Sequence, residues 1–125
     1  MDLIREEAPD FRFVMRGANG REARVNEEIL RQSFIVTPDQ LIKDWDVHAL
    51  TELDAAAIAP LIALAPEVII LGCGDTQAFP HPSIMAACLS RGIGLESMVN
   101  DAAARTFNVL ASEGRNAIAA FILSR

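Results

Sequence analysis

The first fifty residues alternate. Phe11, Phe13 and Met15 fall on one side of an extended chain, and Arg12, Val14 and Arg16 on the other, the period of two that marks a half-buried strand. Gly17-Ala18-Asn19-Gly20 is a turn sequence, and Arg21 to Val25 reads as the returning arm of a hairpin. Ser33 to Thr37 is a second apolar strand, stopped by Pro38-Asp39-Gln40, and a further strand is expected through Leu41-Ile42 or Trp45-Val47.

Near residue 50 the period changes. Thr51-Glu52-Leu53-Asp54 has the form of a capping box with Asp in its last place, predicting a helix from Leu53 to Ala65. Pro60 should kink or shorten that helix, because it lacks an N–H and clashes with the preceding turn. Val68-Ile69-Ile70-Leu71 is too apolar to have a wet face and reads as a central strand. A loop from Gly72 to His81 leads to a helix with Pro82 in its first turn, running to about Arg91 and ended by Gly92. Ile93 to Val99 is the next strand. Asn100 or Asp101 caps a helix that stops at Gly114, and Ala117 to Leu123 closes the chain as another buried strand. A β-rich first half followed by β-α-β-α-β is an α/β pattern with right-handed crossovers.

Length makes this a single domain, 1–125, since 125 residues is the size of one. The chain is 51% apolar with a mean hydropathy of +0.25, which excludes disorder. Seventeen acidic against eleven basic residues leave a net charge of −6, which argues against nucleic-acid binding. The opening MDLIREEAPD lacks the cationic start and apolar core of a secretory signal, and its excess of acid is unlike a mitochondrial presequence. Cys73 and Cys88 form neither a disulfide framework nor a CxxC metal pair, and read as reduced thiols of a cytoplasmic protein. Ala55 to Gly74 carries only Glu67 as a charge and approaches the ~20 residues of a membrane span. Pro60, Pro66 and Glu67 interrupt it, so it divides into a short helix, a turn and a buried strand, with no membrane span expected.

Two blocks carry a family resemblance. Ala104-Arg105-Thr106-Phe107-Asn108-Val109-Leu110, followed by Glu113-Gly114-Arg115 and the closing apolar strand, forms one. Leu71-Gly72-Cys73-Gly74-Asp75-Thr76-Gln77-Ala78-Phe79-Pro80 forms the other. Together they resemble a family of small domains of unknown function. It includes archaeal and bacterial single-domain proteins and a mitochondrial respiratory complex I assembly factor, number three of its series. The resemblance runs from about Phe11 to Leu123. The family usually has Thr between the two glycines and Tyr before the Asn, where this chain has Cys73 and Phe107, so neither hydroxyl is required here. The resemblance implies a compact three-layer α/β domain around a central mixed sheet. It implies no reaction; the assembly factor is a non-catalytic protein working through protein contacts.

The candidate chemistry is correspondingly thin. Gly72-Cys73-Gly74 follows a strand and precedes a helix, where α/β folds bind ligands, and Glu96 stands about where a ribose-binding acid belongs. A dinucleotide fingerprint would need glycine at Gln77 and an immediate helix, which Phe79-Pro80-His81-Pro82 delays. The simpler reading is that the glycines permit a tight backbone path. Pro82-Ser83 opens a helix whose free N–H groups suit an anion, with Gln77 and Ser83 as supplements. Cys73 as a nucleophile would need His81 as its base, and no acid is placed to orient that histidine. His48 and His81 lack ligand spacing, so no metal is expected, nor any cofactor or catalytic residue. Cys88, four after Ile84, belongs to the core.

The last helix has an apolar stripe of Ala103, Phe107 and Leu110 and a polar stripe of Asp101, Arg105, Asn108 and Ser112. The polar stripe is either a solvated face or, because Arg105 and Asn108 fall on the family signature, a ligand cleft or brace for the glycine loop. The candidate binding or loop-bracing residues are thus Gly72, Cys73, Gly74, Gln77, Ser83, Arg105 and Asn108. The expected function is a non-catalytic protein-interaction or assembly module with a protein partner. The alternative is a small-molecule or anion-binding protein, an enzyme among the options, using residues 72–77 and the polar helix face. Self-association through a strand edge of the first half is a third possibility.

Overall fold

The computed structural model describes residues 11–124. The opening MDLIREEAPD, read above for targeting, lies outside the described residues. Eight strands and three α-helices follow in the order β1 (Met15–Ala18), β2 (Ala23–Val25), β3 (Glu28–Leu30), β4 (Phe34–Val36), β5 (Leu41–Ile42), α1 (Ala55–Ala63), β6 (Val68–Gly72), α2 (Pro82–Leu89), β7 (Gly94–Met98), α3 (Asn100–Ser112) and β8 (Ala117–Phe121).

Strands β4 to β8 form one mixed sheet in the order β5-β4-β8-β6-β7. The β6–β7 and β6–β8 pairs are parallel, and β4 runs antiparallel to both β5 and β8. The chain moves outward from β6 to β7, then back across β6 to β8. Crossovers of one hand that run in opposite directions must place their helices on opposite faces. They do: Ile84 and Cys88 of α2 pack with Ile69, Leu71 and Leu95, whereas Ala103 and Phe107 of α3 pack with Ile70, Ala119 and Phe121. Helix α1 joins α2 on the first of these faces, through Ile58 and Leu61. The small sheet β1-β2-β3 joins α3 on the other through Met15, Ala23, Val25 and Leu30. The result is the three-layer α/β domain with a central mixed sheet.

Alternation within each strand serves both cores. Phe34 and Val36 point to one side and Ile35 to the other; Ala117, Ala119 and Phe121 oppose Ile118 and Ala120. Alanines on β8 face Ala103, Ala104 and Ala111 on α3, so small side chains on both sides bring helix and sheet close together. Phe34 and Phe121, directly paired in register, stack with centroids 5.0 Å apart. Fully burying a side chain such as Phe107 stabilises the fold by about 1.5–3 kcal/mol.

Several local expectations change. The first strand begins at Met15, with Phe11 and Phe13 packed against the core as irregular chain. A strand over Glu28–Leu30 extends the hairpin, and the further strand is Leu41–Ile42, with Trp45 and Val47 buried outside any strand. The capping box does not form. Residues Leu50–Glu52 make a 3₁₀ turn, and Asp54 itself caps α1 by accepting from the Ala57 N–H at 2.9 Å. Pro60 lies inside α1, which runs three turns at most. Helix α3 begins at Asn100, so its cap position falls on the apolar Val99 and no side chain caps it, while the Asn100 amide is used elsewhere.

Candidate functional site

The connections leaving β6 and β7 turn to opposite faces of the sheet. Between such carboxyl ends an open α/β sheet has its natural ligand crevice. Here the protein's own groups tie the loops together across that crevice. The Cys73 N–H donates to the Met98 carbonyl at 2.9 Å, extending the β6–β7 ladder beyond the strands, and the Asn100 N–H donates to the Gly74 carbonyl at 2.8 Å. The Asn100 side chain is fully buried. Its Oδ1 accepts from the Gly74 N–H at 3.0 Å, while Nδ2 donates to the Asn19 carbonyl at 2.8 Å and the Ile122 carbonyl at 3.0 Å. One amide thereby joins the glycine loop, the turn of the first hairpin and the end of β8.

Both glycines have a geometric reason. A Cβ on Gly72 would overlap the Asn100 Oδ1 and press on the Phe121 ring. Gly74 takes a φ of 106°, a conformation L side chains rarely adopt. Asp75 adds a further tie, accepting from the Gly20 N–H at 2.8 Å.

The other candidate residues lie around this junction or away from it. Cys73 is half-buried, with its Sγ 3.4 Å from the Thr76 carbonyl. Gln77 reaches the outer strand, its Nε2 donating to the Ser97 carbonyl at 3.0 Å, and the Ser97 hydroxyl donates to the Ala78 carbonyl at 2.6 Å. His81 caps α2: its Nδ1 accepts from the Ser83 N–H at 3.1 Å and lies 2.9 Å from the Ser83 hydroxyl. That contact occupies the helix start proposed for an anion. Arg105 pairs with Asp101 at 2.5 Å on the solvated side of α3, with both side chains about two-thirds exposed (69% and 67%). Asn108 grips the Met15 peptide, accepting its N–H at 2.9 Å and donating to its carbonyl at 2.7 Å, as a neighbouring strand would. The structure thus gathers Gly72, Cys73, Gly74 and Gln77 at one end of the sheet, with Ser83 at the adjoining helix start. Asn108 is engaged with β1.

Sequence reasoning missed the residue that organises this end. Asn100 read as a helix cap because it follows a strand and opens a helix; its true role depends on which loops converge there. Burial pushes the Cys88 thiol up, holding it protonated in the core. Among the described residues, no cluster of three or more His, Cys, Asp or Glu side chains is placed to hold a metal. One surface cavity of about 580 Å³ is lined by Arg12, Pro38, Gln40 and Arg115, and one of about 640 Å³ by Trp45, His48, Leu123 and Ser124, just past Ile122 of this junction.

No helix among the described residues is long and apolar enough to cross a membrane. A solved structure of a Xanthomonas campestris protein is 54% identical and superimposes with a TM-score of 0.84, over 94% of this chain and 89% of that one. A Francisella tularensis relative named a 13 kDa major membrane protein is 32% identical over 66% of this chain and 68% of its own length. The mouse NADH dehydrogenase [ubiquinone] 1 alpha subcomplex assembly factor 3 is 31% identical over 66% of this chain. The match spans about half of that relative's length (46%). Residues 15–122 match the model of a family described as a protein of unknown function (DUF498/DUF598), and the chain belongs to that family.

Proposed function

We propose that this chain is a non-catalytic protein-interaction module of the kind that serves the assembly of a larger complex. The observation that carries the reading is where its apolar surface lies. Of the five large apolar side chains exposed among the described residues, Phe79, Met85 and Leu89 belong to the loop after the glycines and to α2. Phe79 and Leu89 are 70% and 73% exposed, an arrangement that a binding partner would relieve. The cross-linking of the loops by Asn100 at the usual ligand end of the sheet points the same way, as does the name of the mouse relative. Gly72, Cys73, Gly74, Gln77 and Ser83 then act by shaping the loop that presents Phe79. The cytoplasm is the proposed compartment on the strength of two free thiols. Cell fractionation decides between it and a membrane, to which the Francisella relative's name would point.

The test is native mass spectrometry of tagged protein captured gently from its own cells. The expected result is an added protein chain, identified, purified and reconstituted as a stoichiometric complex that the Phe79→Ser variant weakens without loss of stability. An added mass of a few hundred daltons, lost on denaturation, would overturn this reading in favour of small-molecule or anion binding at residues 72–77 and the polar face of α3.

A further inference from the structure

The sheet edges of this protein are protected unequally. An exposed strand edge offers unpaired N–H and C=O groups to any passing chain, and proteins blunt such edges. Strand β5 is two residues long. The edge of β1 is served by Asn108, which takes both polar groups of Met15. Beside β3, Lys43 pairs with Glu28 at 2.5 Å and Arg31 with Glu22 at 3.7 Å. Strand β7 differs. It is five residues long, pairs without a bulge along its whole length, contains no proline or lysine, and has no strand neighbour on its outer side among the described residues.

Which groups β7 presents follows from its register. Gly94 donates to the Glu67 carbonyl at 3.0 Å, and the Met98 carbonyl accepts from Cys73 at 2.9 Å, so residues 94, 96 and 98 turn their peptide groups toward β6. Leu95 and Ser97 therefore turn theirs outward. Of those four outward groups, Gln77 occupies one, the Ser97 carbonyl, at 3.0 Å.

Helix α2 overhangs the same edge. It packs over β7, with Ile84 and Cys88 facing the sheet. On one flank, Ala87, Ser90 and Arg91 share a groove with Ile58 and Ile62 of α1. At 100° per residue, Met85 and Leu89 fall on the opposite flank, beyond β7. They form an exposed apolar ledge above the free edge. On the other face of the sheet, β7 presents the exposed carboxylate of Glu96.

We infer that β7 is a docking edge for an extended segment of another protein, added antiparallel, with a Lys or Arg opposite Glu96 and apolar residues on either side of that cation. The inference rests on the interaction-module reading and specifies its partner. Residues directly opposite across an antiparallel pair share a face. The residues facing Leu95 and Ser97 thus pack beneath Met85 and Leu89, and the residue facing Glu96 meets its charge. A second copy of this chain fits poorly. The symmetric pairing that uses all four outward groups centres on Glu96 and sets two carboxylates face to face, between chains that each carry a net charge of −6. Gln77 is displaced from the Ser97 carbonyl by an N–H of the incoming segment.

The probe is a capped peptide, Thr-Thr-Val-Lys-Val-Thr-Thr, and its twin with Glu in place of Lys, each titrated into the isotope-labelled full chain by NMR. Amide shifts should concentrate at Leu95 and Ser97, with the Lys peptide binding on the order of fivefold more tightly than the Glu twin. Glu96→Lys should reverse that preference, and Leu89→Ser should weaken both peptides. Equal affinities, shifts on another face, or a concentration-dependent dimer with protected β7 amides would each overturn the proposal. If a captured partner still binds Glu96→Lys and Leu89→Ser undiminished, the docking edge falls while the interaction module stands; if no protein partner is captured, the module itself falls.

Discussion

Two neighbouring polar residues of α3, Asn100 and Arg105, have opposite fates in the structure. Removing the fully buried Asn100 side chain strands the Ile122 carbonyl in the interior and leaves the part-buried Gly74 N–H and Asn19 carbonyl without their partner. At ~1–3 kcal/mol for a buried polar group left unsatisfied, Asn100→Ala should lower stability by about 2–4 kcal/mol. Arg105→Ala loses one exposed helical ion pair and should cost only about 0.2–0.5 kcal/mol. Urea unfolding midpoints of the two variants check this contrast; equal losses would mean that the Asn100 junction is wetter than its burial implies. The same reasoning separates the cysteines. A thiol reagent should label Cys73 alone in the native protein and Cys88 only after unfolding, since burial keeps Cys88 inaccessible and protonated. Arg105 and Asn108 looked alike in the sequence because helical spacing reports which face a residue occupies. It does not report what lies opposite, and Asn108's partner, the Met15 peptide, is 93 positions away in the chain.

At the scale of elements, periodicity carried most of the information. The apolar run Val68–Leu71, the long amphipathic α3 and the closing strand were legible because burial on one or both faces dictates their side-chain pattern. Strand β3 was not, because its core is three residues, two of them exposed, held by register with β2. Its turn also lacks the Asn-Gly signal of a tight hairpin; Asn26 alone supplies the left-handed φ, 53°. Helix α1 shows a conflict between local preference and packing. Pro60 sits within it, exposed, while Ile58 and Leu61 on either side are buried against the sheet. Burial there outweighs the missing bond to the carbonyl one turn earlier. Pro60→Ala restores that bond and should stabilise the protein by about 2–2.6 kcal/mol, the ~3 kcal/mol helix penalty of proline less the ~0.4–1 kcal/mol of unfolded-state entropy it removes. Thermal unfolding of the variant checks it, and a lowered midpoint would show that the ring packs in a way its exposure does not suggest.

The whole molecule is closed by its last strand. Residues Ala117–Phe121 lie between β4, from the first third of the chain, and β6, from its middle, and every one of them is buried. Both cores pass through this strand, one by way of Ala119 and Phe121 and the other by way of Ile118 and Ala120. Ser33 adds a buried clasp, its hydroxyl accepting the Leu123 N–H at 2.8 Å and donating to the Val47 carbonyl. Without β8, β4 and β5 have no sheet to join, and α3 loses much of the surface beneath Phe107. The sheet cannot shorten by one strand and survive, as it could if the missing strand lay at an edge. A chain ending after Gly114 should therefore show no cooperative unfolding transition. Adding the missing segment as a separate peptide should restore one, because every backbone partner of β8 comes from elsewhere in the fold. Circular dichroism during thermal unfolding, with and without that peptide, reads the outcome. A cooperative transition in the truncated chain alone would mean that β6, β7 and their helices form a core independent of the hairpin half. Failure of both samples to unfold cooperatively would mean that the strand must be present in the chain while it collapses. Because the pairing of Phe34 with Phe121 joins positions 87 residues apart, the full chain should also fold slowly for its size, on the millisecond-to-second scale of domains dominated by distant contacts.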